Sequence, residues 1–444
     1  MTCEKIRNVT IIGGSRGLGE WIAKQLVKEE NLNVTITSRD KTSGEKTAKK
    51  IGAIYSNDNI EAIENADLII FSVPIDNMME TIKDVAPYAP ENSLLMDITS
   101  IKKEPSEALK KYSPENTEIL PCHPMFGPRI PSLEGQVIIL TPIENRSEKT
   151  LNLIKNFLES KKAKVVITTP EEHDKTMSVV QGLTHFSYIS IASTIKKLNI
   201  NVKRSREFAS PVYSLMLDMI SRIVSQNPYL YYSIQKSNPE TLKSRKTLIE
   251  EEIKLSKIIE EGQEDSFIQN MTNSAKHLDE YEEALGRSDK AISSLTHDLD
   301  ELNNSIGQEI GVKHQYSKKI HVGTVDKVTS DTLTLTTQNK KKINLKISNI
   351  NKLTDDELYK WKTENLKVYS FDVSVIFPKR CNKNILLNTF KNIKPVIDAE
   401  IKDTYTGKQI DEDSISLTFH YTTFKKNDKN YVEKYLEGIG GIIR

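Results

Sequence analysis

Short apolar runs alternate with amphipathic stretches along the first third of the chain. The runs are rich in β-branched residues and continuous, which is typical of parallel strands buried on both faces. The stretches between them have helical spacing. This alternation predicts a doubly wound α/β domain over residues 1–168. The expected strands are Val9–Ile12, Asn33–Thr37, Asp67–Pro74, Ser93–Ser100, Glu118–Leu120, Gln136–Leu140 and Lys164–Ile167.

The pattern changes at Thr169, where a capping residue is followed by Pro170 and, three residues on, by Glu172. This spacing is typical of a helix start. The chain then has helical patterning to about Leu302, with Pro and Gly only at breaks. We expect an all-helical domain over 169–317 that buries its apolar stripes against a second copy, as a homodimer.

Short β-branched runs begin near Lys318 and predict an α+β accessory region over 318–444. From about residue 366 the order strand, helix, two strands, helix indicates part of a ferredoxin-like module.

Composition limits the possible environment. Lys and Arg number 62 and Asp and Glu 61, so no global charge draws the chain to nucleic acid or anionic membrane. No apolar run approaches the ~18 residues of a membrane span, and the amino terminus has no apolar secretion segment. The three cysteines are scattered, which fits neither a disulfide framework nor a zinc site. We expect a cytoplasmic protein with no metal and no membrane contact.

A glycine-rich turn separates the first strand from the first helix. Bare backbone N–H groups and a helix N-terminus in this geometry bind the pyrophosphate of a dinucleotide, in a Rossmann-like domain. The alternative is a purely structural turn. The expected cofactor-binding residues here are Gly13, Gly14, Ser15, Arg16, Gly17, Leu18 and Gly19, with Val73 and Pro74 at the end of a neighbouring strand.

The end of the second strand bears on the type of cofactor. NAD sites place a carboxylate there, whereas NADP sites place cations and hydroxyls that bind the 2′-phosphate. The strand ends in Ser38 and Arg39, and Arg16 adds a second cation. We therefore expect NADP to be preferred. NAD remains the alternative if Asp40 faces the ribose.

His123 follows a strand end, at the sheet edge where ligands bind, in a loop stiffened by prolines. A histidine there can take a proton from a substrate hydroxyl. Ser100 can orient His123 or bind that hydroxyl, and Lys102 can face an anionic group. The alternative for His123 is a histidine bonded to loop carbonyls. Ser100 would then be a helix cap, and Lys102 a solvated surface lysine. Cys122 is expected to be a buried filler.

Two polar stripes mark the helical domain. Gln181 and His185 are four residues apart on an otherwise apolar helix. Arg222 and Gln226 continue a stripe that begins at Asp218. A small carboxylate ligand would satisfy Arg222, and the alternative is an ion pair with Asp218 one turn away. The alternative for His185 is a packed histidine.

These motifs resemble those of prephenate dehydrogenase, over about Val9 to Tyr231 with following helices to about Leu302. The motifs that match, in order, are GGSRGLG, DITSIKK, LPCHPMFGP, EEHDKTMSVVQGLTHF and SPVYSLMLDMISRIVSQNPYLY.

The resemblance implies oxidative decarboxylation of prephenate to 4-hydroxyphenylpyruvate in tyrosine biosynthesis. It implies that His123 deprotonates the C4 hydroxyl, that Ser100 supports it and that Arg222 binds a substrate carboxylate. His185, Gln226 and Tyr231 match pocket positions, and Lys102 matches a lysine of the family. Arogenate dehydrogenase is one alternative. A regulatory or RNA-binding protein with an inactive core is the other.

Residues from about Val368 to Arg444 resemble the ferredoxin-fold anticodon-binding module of phenylalanyl-tRNA synthetase. The resemblance implies RNA as a ligand. A generic unit that packs or senses an amino acid such as tyrosine is the alternative.

Overall fold

The computed structural model describes residues 6–29 and 32–444, apart from the side chains of 294–297. The chain forms two compact units, Met1–Asp279 and Glu280–Arg444. Within the described ranges every helix is too short or too polar to span a bilayer.

The first unit begins with a six-stranded parallel sheet in the order β3-β2-β1-β4-β5-β6, which confirms the doubly wound, Rossmann-like prediction. Its strands are β1 (Asn8–Ile12), β2 (Asn33–Thr37), β3 (Ile54–Ser56), β4 (Leu68–Phe71), β5 (Leu94–Asp97) and β6 (Glu118–Ile119).

Helices cover both faces of this sheet. Successive strand residues point to opposite sides, so Ile11 and Ile70 enter one apolar core while Ile12 and Ile69 enter the other. This double burial explains the continuous apolar runs in the sequence. The helices are α1 (Gly17–Leu26), α2 (Lys41–Ile51), α3 (Asn59–Ile63), α4 (Ile75–Val85), α5 (Lys103–Tyr112) and α6 (Leu151–Ser160).

A second, three-stranded sheet follows, of β7 (Cys122–Pro124), β8 (Val137–Leu140) and β9 (Lys164–Ile167). The predicted strands β8 and β9 do pair in parallel, but with each other in this second sheet and not with the first sheet, and β7, which was not predicted, runs antiparallel to β8. The segment expected to be a loop around His123 is therefore a short strand. Pro121 has no N–H to continue the ladder of β6, so the chain leaves the first sheet at this point.

The helical part of the first unit starts as predicted: the Thr169 side chain accepts a hydrogen bond from the backbone N–H of Glu172. A π-helical turn, Ser178–Leu183, interrupts the helices after the first one. The helices are α7 (Pro170–Met177), α8 (Thr184–Lys197), α9 (Val202–Ser205), α10 (Pro211–Val224), α11 (Pro228–Ser237), α12 (Glu240–Glu260) and α13 (Glu264–Leu278).

The second unit opens with α14 (Tyr281–Asn303), whose Leu299 and Leu302 pack into the core of a five-stranded antiparallel sheet. That sheet already begins at Glu309, ahead of the boundary expected at 318, and the division into three domains stays a prediction. The further elements are β10 (Glu309–His314), β11 (Ile320–Val328), β12 (Thr332–Thr336), β13 (Lys342–Lys346), β14 (Ile350–Lys352) and α15 (Asp355–Asn365).

The chain ends in an antiparallel sheet of order β16-β17-β15-β18. Its elements are β15 (Tyr369–Pro378), α16 (Lys383–Lys391), β16 (Val396–Tyr405), β17 (Ser414–Thr423), α17 (Asp428–Gly438) and β18 (Ile442–Ile443). The predicted ferredoxin-like order is confirmed, and β18 completes it.

Candidate functional site

The glycine turn fits tightly against the end of β4. A Cβ atom on Gly13, whose φ is +81°, would lie 2.9 Å from the carbonyl oxygen of Ser72, and one on Gly19 would lie 2.6 Å from the Ser72 Oγ. Only glycine fits at both positions. Arg16 precedes α1 without a side-chain cap, so the first N–H groups of this helix keep free hydrogen-bonding capacity for an anion.

The other residues expected around the cofactor line the same edge. Ser15 and Gly14 are buried in the turn, Gly17 has a φ of +59°, and Leu18 is half-buried at the start of α1. Val73 lies next to Gly13, its Cγ1 3.0 Å from where a Cβ of that glycine would be. Together with Pro74, at the N-cap position of α4, these residues lie at the carboxyl ends of β1 and β4.

Asp40 is fully engaged at the end of β2. One carboxylate oxygen accepts from the backbone N–H of Ser43, at 3.1 Å, and the other accepts from Arg16 Nη2, at 2.8 Å. The Ser15 hydroxyl donates to the Ser38 hydroxyl at 2.9 Å. Arg39 is exposed and has no ion pair within the described part of the chain. The free cation at this edge is therefore Arg39, while Arg16 and Asp40 offset each other.

His123 lies in the middle of β7 and is 2% exposed. Its Nδ1 lies 2.8 Å from the Nε2 of His173, and its own Nε2 lies 3.3 Å from the Nε2 of Gln181. Burial lowers the pKa of His123 well below 6.5, and the positive charge of Lys102 lowers it further. A neutral imidazole is a proton acceptor, which is what a general base requires.

His173 and Asp174, on α7, were not among the expected site residues. His173 is buried against His123, and its Nδ1 lies 2.7 Å from the Oδ1 of Asp174. Asp174 also accepts from the backbone N–H groups of Lys102 and Lys103, which joins α7 to the start of α5. The sequence signal that could have identified them is the adjacent histidine and aspartate in EEHD, at the start of a predicted helix. Both side chains are costly to bury unless they are paired.

Lys102 is fully buried, with its ammonium against the carboxylate of Asp97. The same carboxylate oxygen accepts from the Thr99 hydroxyl. The observed partner of Lys102 is thus protein, and its contact with substrate stays a prediction. Ser100 is half-buried beyond β5 and makes no side-chain hydrogen bond to any residue that the structure describes. Its support of His123 also stays a prediction.

The π-helical turn brings Gln181 to His123, and such turns are frequent at functional sites. The Oε1 of Gln181 and the Nδ1 of His185 are buried without a hydrogen-bond partner. His185 packs edge-to-face on Tyr231, with ring centroids 4.7 Å apart, and burial lowers the pKa of His185 to about 4. Neither atom has a hydrogen-bond partner among the described residues, so both can bond to a ligand, and Gln181 is in contact with His123.

Arg222, on α10, is exposed and has no ion pair within the described residues. Asp218 pairs instead with Arg206, at 2.6 Å, so the alternative of an Asp218–Arg222 pair is not what the structure contains. Burial raises the pKa of the Tyr231 phenol, and the charge of Arg222 opposes that rise, which is consistent with a guanidinium near this phenol. Gln226 is exposed and donates back to the carbonyl of Arg222.

Cys122, next to His123, is buried, and burial raises the pKa of its thiol to about 12. The thiol therefore stays protonated at neutral pH and packs as a small apolar group, as expected. No group of three metal-ligating side chains occurs among the residues searched, which are those that the structure describes.

Two family models match most of the first unit. The prephenate dehydrogenase nucleotide-binding domain matches residues 22–167, and the prephenate dehydrogenase dimerization domain matches residues 169–273. The glycine turn lies ahead of the first matched range, so its assignment depends on its own geometry.

Curated relatives extend this similarity. The probable arogenate/prephenate dehydrogenase of Methanocaldococcus jannaschii is 40% identical over 439 residues, 98% of this chain and 97% of that protein. The T-protein of Haemophilus influenzae is 32% identical over 55% of this chain and 59% of its own length. Among solved structures, prephenate dehydrogenase from A. aeolicus, in complex with hydroxyphenyl propionate and NAD+, is 21% identical. It covers 62% of this chain and 99% of that chain, with a TM-score of 0.50.

Proposed function

Since the chain belongs to the prephenate dehydrogenase family and is an NAD(P)-dependent oxidoreductase, we propose that it converts prephenate, with NADP+, to 4-hydroxyphenylpyruvate, carbon dioxide and NADPH. The single observation that carries the proposal is the buried base, His123, in contact with Gln181. The neutral imidazole lies against the Gln181 amide, whose Oε1 has no hydrogen-bond partner among the described residues. The nicotinamide, when bound, supplies the acceptor for the hydride that leaves C4.

The protein residues supply the proton transfer and the binding. His123 takes the proton of the C4 hydroxyl while the C4–H bond transfers its electron pair to the cofactor. Loss of carbon dioxide from C1 aromatises the ring and leaves a phenolate, which takes a proton. The unpaired guanidinium of Arg222 binds a substrate carboxylate. Ser100 stands at the end of β5 to bind the C4 hydroxyl.

Charge favours prephenate over arogenate. Arogenate carries an ammonium where prephenate has a keto group, and a buried ammonium needs an anionic partner. The charge of Asp97 is paired with Lys102, although the Asp97 Oδ2 has no hydrogen-bond partner among the described residues, and Asp174 accepts from backbone N–H groups. Arg222 would repel an ammonium placed near it. The relative from M. jannaschii carries both substrates in its name, so the comparison of the two is the informative one.

The β2 edge favours NADP. Asp40, the residue that would accept from the ribose hydroxyls of NAD, is bonded to Ser43 and Arg16. Arg39 is free to bind a 2′-phosphate, and the guanidinium suits that geometry. A relative from Saccharomyces cerevisiae, 24% identical over 42% of this chain, is a prephenate dehydrogenase named for NADP+.

The matched dimerization domain supports a homodimer formed through the helical region. Large apolar side chains are exposed there, among them Leu198, Phe208, Ile253 and Met271. Light scattering coupled to gel filtration tests this, with twice the 50.4 kDa chain mass as the expected result. A tyrosine or RNA ligand of the ferredoxin-like module stays a prediction.

Steady-state assays with both substrates and both cofactors test the proposal. We expect the highest kcat/KM for the pair of prephenate and NADP+. A higher kcat/KM with arogenate would make the protein an arogenate dehydrogenase instead. No reduction of either cofactor with either substrate would overturn it.

A further inference from the structure

Asp174, His173 and His123 form a chain of hydrogen bonds that ends at the proposed base. The Asp174 Oδ1 lies 2.7 Å from His173 Nδ1, and the His173 Nε2 lies 2.8 Å from His123 Nδ1. We infer that His173 and Asp174 are positioning residues, which hold His123 in the tautomer whose Nε2 is unprotonated. The inference rests on the proposed function only in taking His123 as the base.

The direction of the hydrogen bonds follows from the aspartate. Asp174 accepts from the backbone N–H of Lys102 at 2.7 Å and from that of Lys103 at 3.0 Å, so its carboxylate is surrounded by donors. An ionised carboxylate can only accept, so the Nδ1 of His173 must carry a hydrogen. In a neutral ring the Nε2 of His173 is then an acceptor. The Nδ1 of His123 must therefore donate, which leaves its Nε2 unprotonated.

The Nε2 of His123 lies at the end of this series of hydrogen bonds, where the proposed substrate hydroxyl would bind. Its neighbour there is the Nε2 of Gln181, an amide N–H₂ group that can donate to an unprotonated ring nitrogen. The arrangement is thus consistent from Asp174 to Gln181, with every donor facing an acceptor. A substrate hydroxyl that enters beside Gln181 meets a lone pair.

Burial keeps both rings neutral in the resting state. Burial lowers the pKa of His173, as it does that of His123, and Lys102 lowers both pKa values further, whereas Asp174 and Asp97 raise that of His173. During the reaction His123 becomes positively charged. His173 then accepts a stronger hydrogen bond from Nδ1, and the carboxylate of Asp174 stabilises the charge through the second ring.

The backbone contacts of Asp174 explain why the hydrogen bonds from Asp174 to His123 are held in place. Its carboxylate is held by the start of α5, and its carbonyl accepts from the Asn238 amide at 2.7 Å. His173 is 1% exposed and packs edge-to-face on His123, with centroids 5.1 Å apart. Neither ring can turn without breaking a buried hydrogen bond, so the lone pair keeps its direction.

Substitution of Asp174 by Asn separates positioning from packing. An amide has one acceptor oxygen, whereas the Asp174 carboxylate accepts from three N–H groups, of Lys102, Lys103 and His173. The variant therefore weakens the hold on His173 Nδ1 and lets His123 populate the tautomer that is protonated on Nε2. We expect Asp174→Asn to lower kcat by about 10²–10⁴, with KM changed little, as for other misdirected bases. The matched control is Asp84→Asn, on the exposed side of α4, which should keep wild-type kcat.

The tautomer itself is measured by nitrogen NMR on protein labelled with ¹⁵N-histidine. The chain has eight histidines, and a His123→Asn sample identifies the signals of that ring. Near neutral pH we expect wild-type His123 to show a protonated Nδ1 and an unprotonated Nε2, and Asp174→Asn to populate the form with a protonated Nε2. A wild-type Nε2 that carries the proton would overturn the inference, as would an unchanged tautomer and kcat in the variant.

A pair of substitutions at His173 covers the case in which Asp174→Asn does not fold. His173→Gln keeps an acceptor for His123 Nδ1, whereas His173→Leu removes it. We expect the Gln variant to keep at least tenfold more kcat than the Leu variant, and equal loss in both, at equal thermal stability, would contradict positioning. The NMR result does not depend on turnover. If wild-type His123 shows a protonated Nδ1 but the protein has no activity on prephenate, the inferred series of hydrogen bonds stands and only the proposed function is refuted.

Discussion

Asp218 pairs with Arg206, its Oδ1 2.6 Å from the Nη2 of that arginine, and not with Arg222 one turn further along α10. The guanidinium of Arg222 therefore lacks an ion-pair partner within the described residues. A cation near the Tyr231 phenol, with no anion to neutralise it among the residues that the structure describes, is suited to an anionic ligand.

Arg222→Ala is expected to weaken substrate binding more than turnover, because a carboxylate contact exists in both the ground state and the transition state. A lost charged hydrogen bond of a few kcal/mol corresponds to a KM raised on the order of 10²-fold. Lys203→Ala, at an exposed position of α9, is the control and should leave KM unchanged. Steady-state kinetics with melting curves check this. An unchanged KM with a large loss of stability would make Arg222 structural.

His123→Asn is expected to lower kcat by about 10²–10⁴, the usual contribution of a positioned acid–base group, with KM nearly constant. In the wild-type enzyme the acid limb of kcat/KM should lie below pH 6.5, because burial lowers the pKa of His123. A pH series of initial rates measures both. Near-normal turnover in the variant would remove His123 from the chemistry.

Arg39→Ala is expected to narrow the preference for NADP, mainly through the KM of the cofactor. A charge-assisted contact worth about 1.5–3 kcal/mol corresponds to roughly ten- to a hundredfold in kcat/KM. Lys46→Ala, on the exposed side of α2, is the control and should keep the preference. If the wild-type enzyme uses NAD equally well or better, Asp40 rather than Arg39 faces the ribose.

His185 should make stability depend on pH. Its pKa in the folded protein is lowered to about 4, so the unfolded chain binds more protons between about pH 6.5 and 4. Stability contributed by the neutral ring is therefore present above pH 6.5 and lost as the pH falls through this window. Between pH 7 and pH 4, the free energy of unfolding of His185→Asn should fall by about 2 kcal/mol less than that of the wild-type protein, allowing for the partial exposure of His185. Urea unfolding at both pH values measures this difference. Parallel curves for both proteins would contradict this.

Much of the fold could be predicted from the sequence because the patterns that mark strands and helix starts are local. Buried parallel strands produce apolar runs, and Thr169 before Pro170 marks a helix start. The strand at Cys122–Pro124 was missed because prolines on both sides suggested a loop, and because its partner, β8, is distant in sequence.

The site was only partly predictable for a similar reason. Gln181 and His185 stand out as polar residues on an apolar helix, and the structure brings Gln181 to His123. His173 and Asp174 lie in a polar stretch whose burial depends on α7 docking onto α5, which no local pattern reports. The partner of Asp218 likewise comes from a neighbouring turn rather than from one helical turn away.

The most direct test of the account is the stoichiometry of the reaction with prephenate and NADP+. NADPH is followed by absorbance, carbon dioxide by mass spectrometry, and the organic product is identified by chromatography. We predict equal amounts of NADPH, carbon dioxide and 4-hydroxyphenylpyruvate from the wild-type enzyme, and rates lower by 10²–10⁴ for all three in His123→Asn. Carbon dioxide released without NADPH, or equal rates in both proteins, would contradict oxidation of prephenate at His123.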